Sequence, residues 1–345
     1  MNRRKTLAIG RKVAKLFKVL SGKERILIIS HDNPDPDTLA SAFALRDLVM
    51  RKLGADSIIA FSGIIGRAEN RAMIKHLGIP LKRLEELDLS KFDATVLVDS
   101  QPHTGKLDLP EDIKLDVVID HHPLHRESRR VEFHDIQSRI GATSTIITQY
   151  LMAEGTEIDS RIATALLYGI KSDTRDLGRE TSKYDVEAYL YLYPRANLRL
   201  LSKIEYAEVP VEYFRVYEQA IDSALTFDGV VVSFIGKIDN PDMVAEMADM
   251  LIRLEGTRCA LVGGHFEDGI YVSVRTKNSD LNAGKLVQRV IGKLGPSGGH
   301  GSMSAGRVKL GSQSDKEKES LEKTIIRRLK RAMKLKGVRA RKLVE

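Results

Sequence analysis

The sequence predicts an α/β fold: a doubly wound, mainly parallel sheet, followed by a helical linker and a smaller α/β unit. Three observations predict it: short β-branched apolar runs, helical patterns that alternate with them, and a length of 345 residues, enough for two domains. The first four runs lie at 26–29, 57–61, 94–98 and 117–119. Each is too short for a helix and ends in polar residues, which is typical of a buried parallel strand.

Helical patterns separate and follow these strands. The first begins near Thr38, a candidate N-cap, and continues to Lys52, with Gly54 just past its end. Two further helices are predicted over residues 143–154 and 160–172. They complete the cover that a parallel sheet needs on its faces.

The predicted domains are a first unit at 1–183, a helical linker at 184–228, a second unit at 229–312 and a basic amphipathic tail at 313–345. The second unit mixes strands and helices. Its predicted elements are a strand at 230–235, a helix started by Asn240 and Pro241, strands at 259–262 and 270–274 joined by a turn at 267–269, a helix at 281–293, a glycine-rich loop at 295–306 and a strand at 307–310.

The formal net charge of +8 is concentrated at the two ends of the chain. Residues 1–23 carry eight bases and no acid, and residues 323–342 carry ten bases and no acid. The rest of the chain is therefore acidic. An acidic body favours a carboxylate-rich site that holds cations over a general DNA-binding surface.

Cysteine content and hydropathy indicate the cellular compartment in which the protein is expected. The single cysteine, Cys259, excludes an internal disulfide framework and a multi-cysteine metal site. The sequence has neither a signal-peptide pattern nor an uninterrupted run of about 18 apolar residues. These features predict a cytoplasmic protein without a transmembrane segment.

Chemistry-bearing side chains directly follow the first strand. Residues 31–37 are His-Asp-Asn-Pro-Asp-Pro-Asp, and the two prolines bias Asn33 and Asp35 toward extended backbone. Asp35 and Asp37 would then share one face, with Cα atoms about 7 Å apart. His31 lies at the carboxyl end of a strand, where open α/β sheets bind ligands. Taken alone, the segment is also consistent with a solvated acidic turn.

Further ligands follow two other strands. Asp99 ends the run at 94–98, and an Asp-His-His triplet at 120–122 ends the next one. If these strands are parallel neighbours, their ligands converge on the edge that carries His31. Asp173, at the end of a predicted helix, adds another acid. Two histidines and four carboxylates suit a pair of divalent cations.

With these residues in place, the sequence resembles the DHH phosphoesterases, a family named for the triplet at 120–122. The family's motifs occur in order: His-x-x-Pro-Asp-x-Asp at 31–37, then Asp99, the triplet and Asp173. The resemblance covers nearly the whole chain.

The second unit resembles the accessory domain called DHHA1. Its signature occurs as Gly-Gly-His at 298–300 and Ser-Ala-Gly at 304–306, with Ser304 where the family has an alanine. Size and two-domain layout resemble the NrnA-type subgroup of oligoribonucleases and 3′-phosphoadenosine-5′-phosphate phosphatases.

The resemblance implies roles for individual residues. The implied sets are His31, Asp35 and Asp99 for one metal; Asp37, Asp99, His121 and Asp173 for a second; Asp99, Asp120 and His122 for catalysis; and Arg275, Gly298, Gly299 and His300 for substrate binding. Within the catalytic set, Asp120 would orient the histidines and His122 would face the substrate phosphate. Manganese is the expected metal because mixed histidine and carboxylate ligation suits it, whereas magnesium takes histidine less readily.

The residues and the resemblance together predict a two-metal phosphodiesterase. Its expected substrates are short oligoribonucleotides or linear dinucleotides, cut to 5′-mononucleotides, and 3′-phosphoadenosine-5′-phosphate. The alternatives are hydrolysis of cyclic dinucleotides and a nucleotide-binding regulator without catalysis. A pyrophosphatase fits less well, because a DHHA1-like unit suits a nucleotide better.

The carboxy-terminal segment carries apolar residues at four-residue steps, Leu321, Ile325, Leu329 and Met333, with bases on its other faces. Such a helix either packs on the protein's own surface or brings its bases to RNA or an anionic membrane. The sequence leaves this choice open. The sequence also leaves open the preference for RNA or DNA, the polarity of cleavage and the oligomeric state, for which a homodimer is one alternative.

Overall fold

The computed structural model describes residues 3–102, 104, 113–277, 281–312 and 314–344, with the side chains of Arg3, Arg4 and His300 excepted. The chain divides into two compact units, Met1–Ala207 and Glu208–Glu345. In the described ranges, no helix combines the length and apolar character needed to cross a bilayer.

The first unit is built on a six-stranded sheet in which every described pairing is parallel. Its strands are β1 (Arg25–Ile29), β2 (Asp56–Phe61), β3 (Leu81–Arg83), β4 (Ala94–Val98), β5 (Val117–Asp120) and β6 (Phe133–Ile136). They lie in the order β3-β2-β1-β4-β5-β6. The chain order therefore reverses between β1 and β4, and such a switch point is where open α/β sheets bind ligands. The predicted parallel α/β sheet is confirmed.

Seven helices of the described chain belong to this unit. They are α1 (Arg3–Leu20), α2 (Pro36–Leu53), α3 (Ala68–Leu77), α4 (Thr143–Glu154), α5 (Ser160–Thr174), α6 (Lys183–Leu192) and α7 (Leu198–Glu205). Helix α1 buries Ile9, Val13, Leu16 and Leu20 in the core. The basic amino-terminal segment is thus the outer face of a structural helix.

Helix α2 has its N-cap three residues earlier than the sequence pattern predicts. Its N-cap is Asp35, whose carboxylate accepts a hydrogen bond from Thr38 N at 2.9 Å, and Pro36 is the first helical residue. A proline is well tolerated there because its missing N–H would have no partner in the helix. The assignment of Thr38 as N-cap is therefore wrong, while Gly54 caps the other end in the left-handed conformation.

The segment predicted as a linker is divided between the two units. Helices α6 and α7 contribute Leu192, Leu201 and Ile204 to the core of the first unit. The following helix, α8 (Val211–Asp222), lies in the second unit. The boundary between the two units thus falls at residue 207, inside the segment expected as a connector at 184–228.

The second unit is built on a seven-stranded sheet in the order β11-β12-β10-β9-β8-β7-β13. Its remaining elements are β7 (Leu225–Phe227), β8 (Val230–Lys237), α9 (Asp242–Leu251), β9 (Cys259–Phe266), β10 (Gly269–Thr276), α10 (Ala283–Ile291), β11 (Ser297–His300), β12 (Met303–Lys309), α11 (Asp315–Ala332) and β13 (Arg341–Lys342). Strands β8 and β9 are parallel, and the other pairings are antiparallel. One core cluster includes residues of α10 and α11, and another includes residues of α9.

Two expectations for this unit change. The glycine-rich stretch at 295–306 is a hairpin of β11 and β12 rather than a loop. Gly299, with φ of +143°, leaves no room for a side chain, because a Cβ there would lie 2.4 Å from Ser304 Cα. The tail is equally structural, since Ile325, Leu329 and Met333 of the apolar stripe are buried in the core. Of the two alternatives for this helix, packing on the protein itself is what the structure shows.

Candidate metal centre

The ends of three adjacent strands bring the polar residues of the site together. His31 follows β1, Asp99 follows β4, and Asp120 closes β5 with His121 and His122 immediately after it. Because these strands are parallel neighbours, their carboxyl ends meet at the switch point. The convergence expected from the sequence is what the sheet order produces.

Asp99 lies at the middle of this cluster and is 1% exposed. Its Oδ2 is 3.6 Å from His31 Nε2, and its Oδ1 is 3.6 Å from His121 Nε2 and 3.9 Å from His122 Nδ1. Its φ of +57° is unusual for a residue other than glycine and turns the chain sharply at the end of β4. The single carboxylate thus faces histidines that follow two different strands.

Three groups of side chains place their ligand atoms within 4.8 Å of one another in the described part of the chain. They are His31, Asp35 and Asp99; Asp37, His121 and Asp173; and Asp99, Asp120, His121 and His122. The first group is the ligand set expected for one metal. The second holds three of the four ligands expected for the other metal, and Asp99 lies 3.6 Å from its histidine.

The two inner histidines present their Nε2 atoms to carboxylates. His31 Nδ1 lies 2.7 Å from Asp32 O and His121 Nδ1 lies 3.2 Å from Ile140 O, so both Nδ1 atoms must donate. His121 Nε2 is buried, has no hydrogen-bond partner among the described atoms and lies 3.2 Å from Asp173 Oδ2. A neutral imidazole would aim a lone pair at this carboxylate. The position needs a proton or a cation, and the donor set fits a divalent metal.

The electrostatics of the cluster show the same need for positive charge. Burial alone would lower the pKa of His31, but hydrogen bonding and charge from Asp35 and Asp99 raise it to about 10. Burial and the neighbouring Asp99 and Asp173 charges raise the pKa of Asp37 well above its usual range. Burial also raises the pKa of Asp173. The carboxylates are too crowded to be charged together without protons or cations among them.

Cation affinity is therefore expected to rise steeply with pH. A histidine with a raised pKa is protonated at neutral pH, and its proton must leave before Nε2 can bind a metal. Each displaced proton should strengthen binding up to about tenfold per pH unit below that pKa. Electron paramagnetic resonance titration of Mn²⁺ from about pH 6 to about pH 8 measures this. An affinity that does not change with pH would show that these rings bind no metal.

Backbone and hydroxyl donors hold two of the carboxylates. Asp37 accepts from Thr143 N at 2.6 Å and Ser144 N at 2.7 Å, at the amino end of α4. Asp99 accepts from Thr38 Oγ1 at 2.6 Å and Thr143 Oγ1 at 2.8 Å. Neither Thr143 nor Ser144 was assigned to the site from the sequence. Their part depends on α4 packing against the start of α2, which no local pattern shows.

A second chain of hydrogen bonds fixes His122. Its Nδ1 lies 2.8 Å from Asp120 Oδ1, and Asp120 Oδ2 accepts from Gln101 Nε2 at 2.6 Å. Gln101 Oε1 in turn accepts from His125 N at 2.7 Å and Ser128 Oγ at 2.9 Å. Asp120 therefore orients His122, whereas Ile140 O orients His121. Sequence reasoning missed Gln101 because its role depends on the fold.

The residues expected to bind substrate lie in the second unit. Arg275 is buried, with Nε 2.7 Å and Nη2 3.2 Å from the two carboxylate oxygens of Asp249 and Nη1 2.7 Å from Ser273 Oγ. The guanidinium group of Arg275 is already paired with the Asp249 carboxylate, so the structure does not show it free to bind a phosphate as expected. Gly298 and Gly299 are exposed in β11. His300 ends that strand, and its side chain lies outside the described part of the structure.

The fold and the cluster define an α/β protein with a candidate divalent-cation centre at the switch point of a parallel sheet. Residues 25–170 match the DHH family, N-terminal domain, and residues 228–331 match the DHHA1 domain. The chain carries a DHH domain followed by a DHHA1 domain, as the sequence motifs predicted.

Similar proteins extend over different parts of the chain. An uncharacterised protein of Methanocaldococcus jannaschii is 38% identical over 308 residues, which are 88% of this chain and 62% of that protein. The manganese-dependent inorganic pyrophosphatase of Bacillus subtilis is 28% identical over 44% of this chain and 48% of its own length. The matched part of the chain thus spans about three fifths of the length of the first relative and about half of the length of the second.

A solved structure shares the fold. An exopolyphosphatase-related protein from Bacteroides fragilis has a TM-score of 0.72 at 14% identity, with 95% of this chain and 98% of that chain covered. At this identity the likeness concerns the architecture alone. The two domain matches follow one another in the order that the sequence motifs predict.

Proposed function

We propose that this chain is a divalent-cation-dependent phosphodiesterase that cuts short oligoribonucleotides or linear dinucleotides to 5′-mononucleotides. The observation that carries the proposal is the sharing of Asp99 between the histidine that follows β1 and those that follow β5. A carboxylate in this position suits two neighbouring cations. The DHHA1 domain favours a nucleotide substrate, and 3′-phosphoadenosine-5′-phosphate is included as a second nucleotide, in which the bond cut would be a phosphomonoester.

The assignment of ligands follows the groups described above. His31, Asp35 and Asp99 would hold one cation, and Asp37, His121 and Asp173, together with Asp99, would hold the other. Manganese suits this mixture of imidazole and carboxylate, and a pyrophosphatase similar to this chain is named for it. When bound, the cations would polarise the phosphoryl group and neutralise charge that develops on its oxygens.

The chain's own residues would perform the remaining steps. Thr38 and Thr143 hold the Asp99 carboxylate in one orientation, so the ligand positions are set before substrate arrives. Asp120 accepts a hydrogen bond from His122 Nδ1 and so fixes the orientation of the ring. His122 Nε2 would then contact the phosphate or give a proton to the leaving oxygen. Since water serves as the nucleophile, no covalent intermediate with the protein is required.

A substrate panel tests the proposal. The protein with Mn²⁺ is given linear diadenylate, a cyclic dinucleotide, a longer RNA, 3′-phosphoadenosine-5′-phosphate and pyrophosphate. Preferential release of mononucleotide from linear diadenylate, abolished by chelation, supports it. If the protein hydrolysed only pyrophosphate or only the cyclic dinucleotide, that compound would replace the proposed substrate. Absence of any turnover with metal bound would favour a nucleotide-binding regulator.

Gln101→Ala should lower kcat about tenfold or more with little change in KM. The substitution removes the amide that fixes Asp120, so His122 loses its orientation toward the reacting phosphate while the proposed metal ligands and the second unit are unchanged. Steady-state hydrolysis of linear diadenylate measures the effect. Gln137→Ala is the matched control, because Gln137 Nε2 donates to Asp135 outside the cluster. Equal kcat values for the two variants would remove Gln101 from the mechanism.

A further inference from the structure

A basic pocket lies within the second unit, far along the sequence from the metal cluster. It has a volume of about 740 Å³ and is formed by the last turns of α11 and the loop that follows. Six bases line it: Lys323, Arg327, Lys330, Arg331, Lys334 and Lys336. No acid is among its lining residues. A concavity with one sign of charge focuses the field and concentrates ligands of opposite charge.

Several of these bases have no acidic partner. Arg331, Lys334 and Lys336 are exposed and form no ion pair with any residue that the structure describes. Lys323 differs, because its Nζ lies 3.1 Å from Glu319 Oε2. Three cations held near one another without counter-charge repel, and a polyanion would relieve that repulsion.

The wall of the pocket is held in shape by the chain itself. Lys330 Nζ donates to Val338 O at 2.8 Å and lies 5.0 Å from the centre of the Phe227 ring. The chain turns back after α11, with Leu335 N donating to Lys330 O at 2.8 Å. Lys330 therefore fixes the loop and leaves the neighbouring bases to face solvent.

The buried side of α11 argues against a membrane as the occupant. An interfacial helix inserts its apolar face among lipids. Here that face is used in the core, where Ile325 and Leu329 are no more than 1% exposed and Met333 is 9% exposed. What α11 presents outward is its charge, so the surface suits a soluble polyanion better than a bilayer.

The composition of the pocket indicates how it would recognise that polyanion. Its lining consists of bases, Ile326, Leu335 and Gly337, and contains no aromatic, amide or carboxylate side chain. The walls are mainly apolar, formed by the stems of the bases together with Ile326 and Leu335, so phosphates would contact the charged ends of the side chains. The lining holds none of the aromatic side chains on which successive bases stack, which favours contacts with the backbone over contacts with the bases.

The bases continue past the pocket. Arg339 is exposed, and Arg341 and Lys342 are exposed on β13, at the edge of the sheet. A track longer than the pocket favours an extended chain of phosphates over a compact ligand. A pocket of about 740 Å³ admits part of a flexible single strand, whereas a rigid double helix could only lie across its mouth.

We propose that this pocket binds the phosphate backbone of single-stranded nucleic acid, as a site separate from the metal cluster. The test uses the full chain in a chelator, with a fluorescent mixed-sequence RNA of about twelve nucleotides, and follows anisotropy between roughly 50 and 200 mM NaCl. Because no divalent cation is present, the result is independent of the proposed hydrolytic activity.

The decisive variant is Arg331→Glu/Lys334→Glu/Lys336→Glu. It should bind RNA at least about tenfold more weakly at low salt, with the slope of log affinity against log salt reduced by about 2, since each lost phosphate contact removes about 0.7. The same three positions changed to Gln should give an intermediate loss. This second variant removes charge without introducing repulsion and so guards against misfolding as the cause.

The matched control is Lys75→Glu/Arg199→Glu/Lys203→Glu, three exposed bases of the first unit with the same total change of charge. It should stay within about twofold of the unmodified chain. Equal losses in the pocket and control variants would overturn the proposal. The proposal would also be overturned if the protein bound vesicles of phosphatidylserine and phosphatidylcholine through the pocket bases while its RNA affinity did not depend on those bases.

Discussion

Asp99→Asn is expected to remove most of the cation affinity and to lower phosphoester hydrolysis on the order of 10⁴-fold. The substitution keeps the shape of the side chain and one oxygen that can accept from either Thr38 or Thr143. It replaces the other oxygen with an amide group and removes the charge that faces His31 and His121. The position is 1% exposed, so bulk water cannot supply the lost ligand. Both proposed cations depend on this carboxylate, and both should weaken together.

Mn²⁺ titration and hydrolysis of linear diadenylate measure these losses on the same preparation. Asp88→Asn is the control, because it makes the same chemical change on an exposed turn of the same unit. We expect wild-type metal binding and turnover from it. Two Mn²⁺ ions bound with undiminished affinity by Asp99→Asn would contradict the shared-ligand assignment.

Leu329→Ala is expected to destabilise the second unit by about 2–5 kcal/mol. Leu329 is 1% exposed on α11 and lies in the cluster that includes Ile325 and Val290. Truncation removes buried methyl groups and leaves a cavity that the packed sheet cannot fill. The measurement is urea unfolding of the full chain, followed by the transition of the second unit.

Arg327→Ala is the matched substitution on the exposed face of the same helix, and it should change the unfolding free energy by less than about 0.5 kcal/mol. If Leu329→Ala changes the unfolding free energy as little as this control does, α11 is a loosely attached tail. Deletion of the carboxy-terminal segment would remove Leu329 and its core contacts together with the bases. Point substitutions are therefore the proper test of the basic pocket.

The proximity of the expected metal ligands was predictable, because local patterns together with one general rule place most of them. A short apolar run identifies the strand before Asp99, and the parallel rule then brings the ends of neighbouring strands to one edge. Asp35 is extended, as the following proline predicts. Asn33 is not: its φ is +55°, because its side chain accepts from Ile64 N at 2.7 Å. There a contact distant in sequence overrode the local preference.

What sequence reasoning missed depends on contacts between distant segments. Gln101 acts on a carboxylate 19 positions away, and the Asp249 carboxylate that takes Arg275 lies 26 positions from it. Neither separation follows a helical or strand period. The amphipathic stripe of α11 was visible, but the surface it covers is set by α10 and the sheet, so its burial required the structure.

The first and last strands of the second unit, β7 and β13, are paired side by side. Arg341 lies opposite Thr226, and Leu343 N donates to Ala224 O at 3.0 Å. The segment from β7 to β13 therefore begins and ends along one edge of the sheet, and α8 precedes it in the chain. A segment whose ends are neighbours can be inserted into a host loop without stretching its strands. The part of the second unit from β7 to β13 thus has the geometry of a portable module, with both of its ends on the same side.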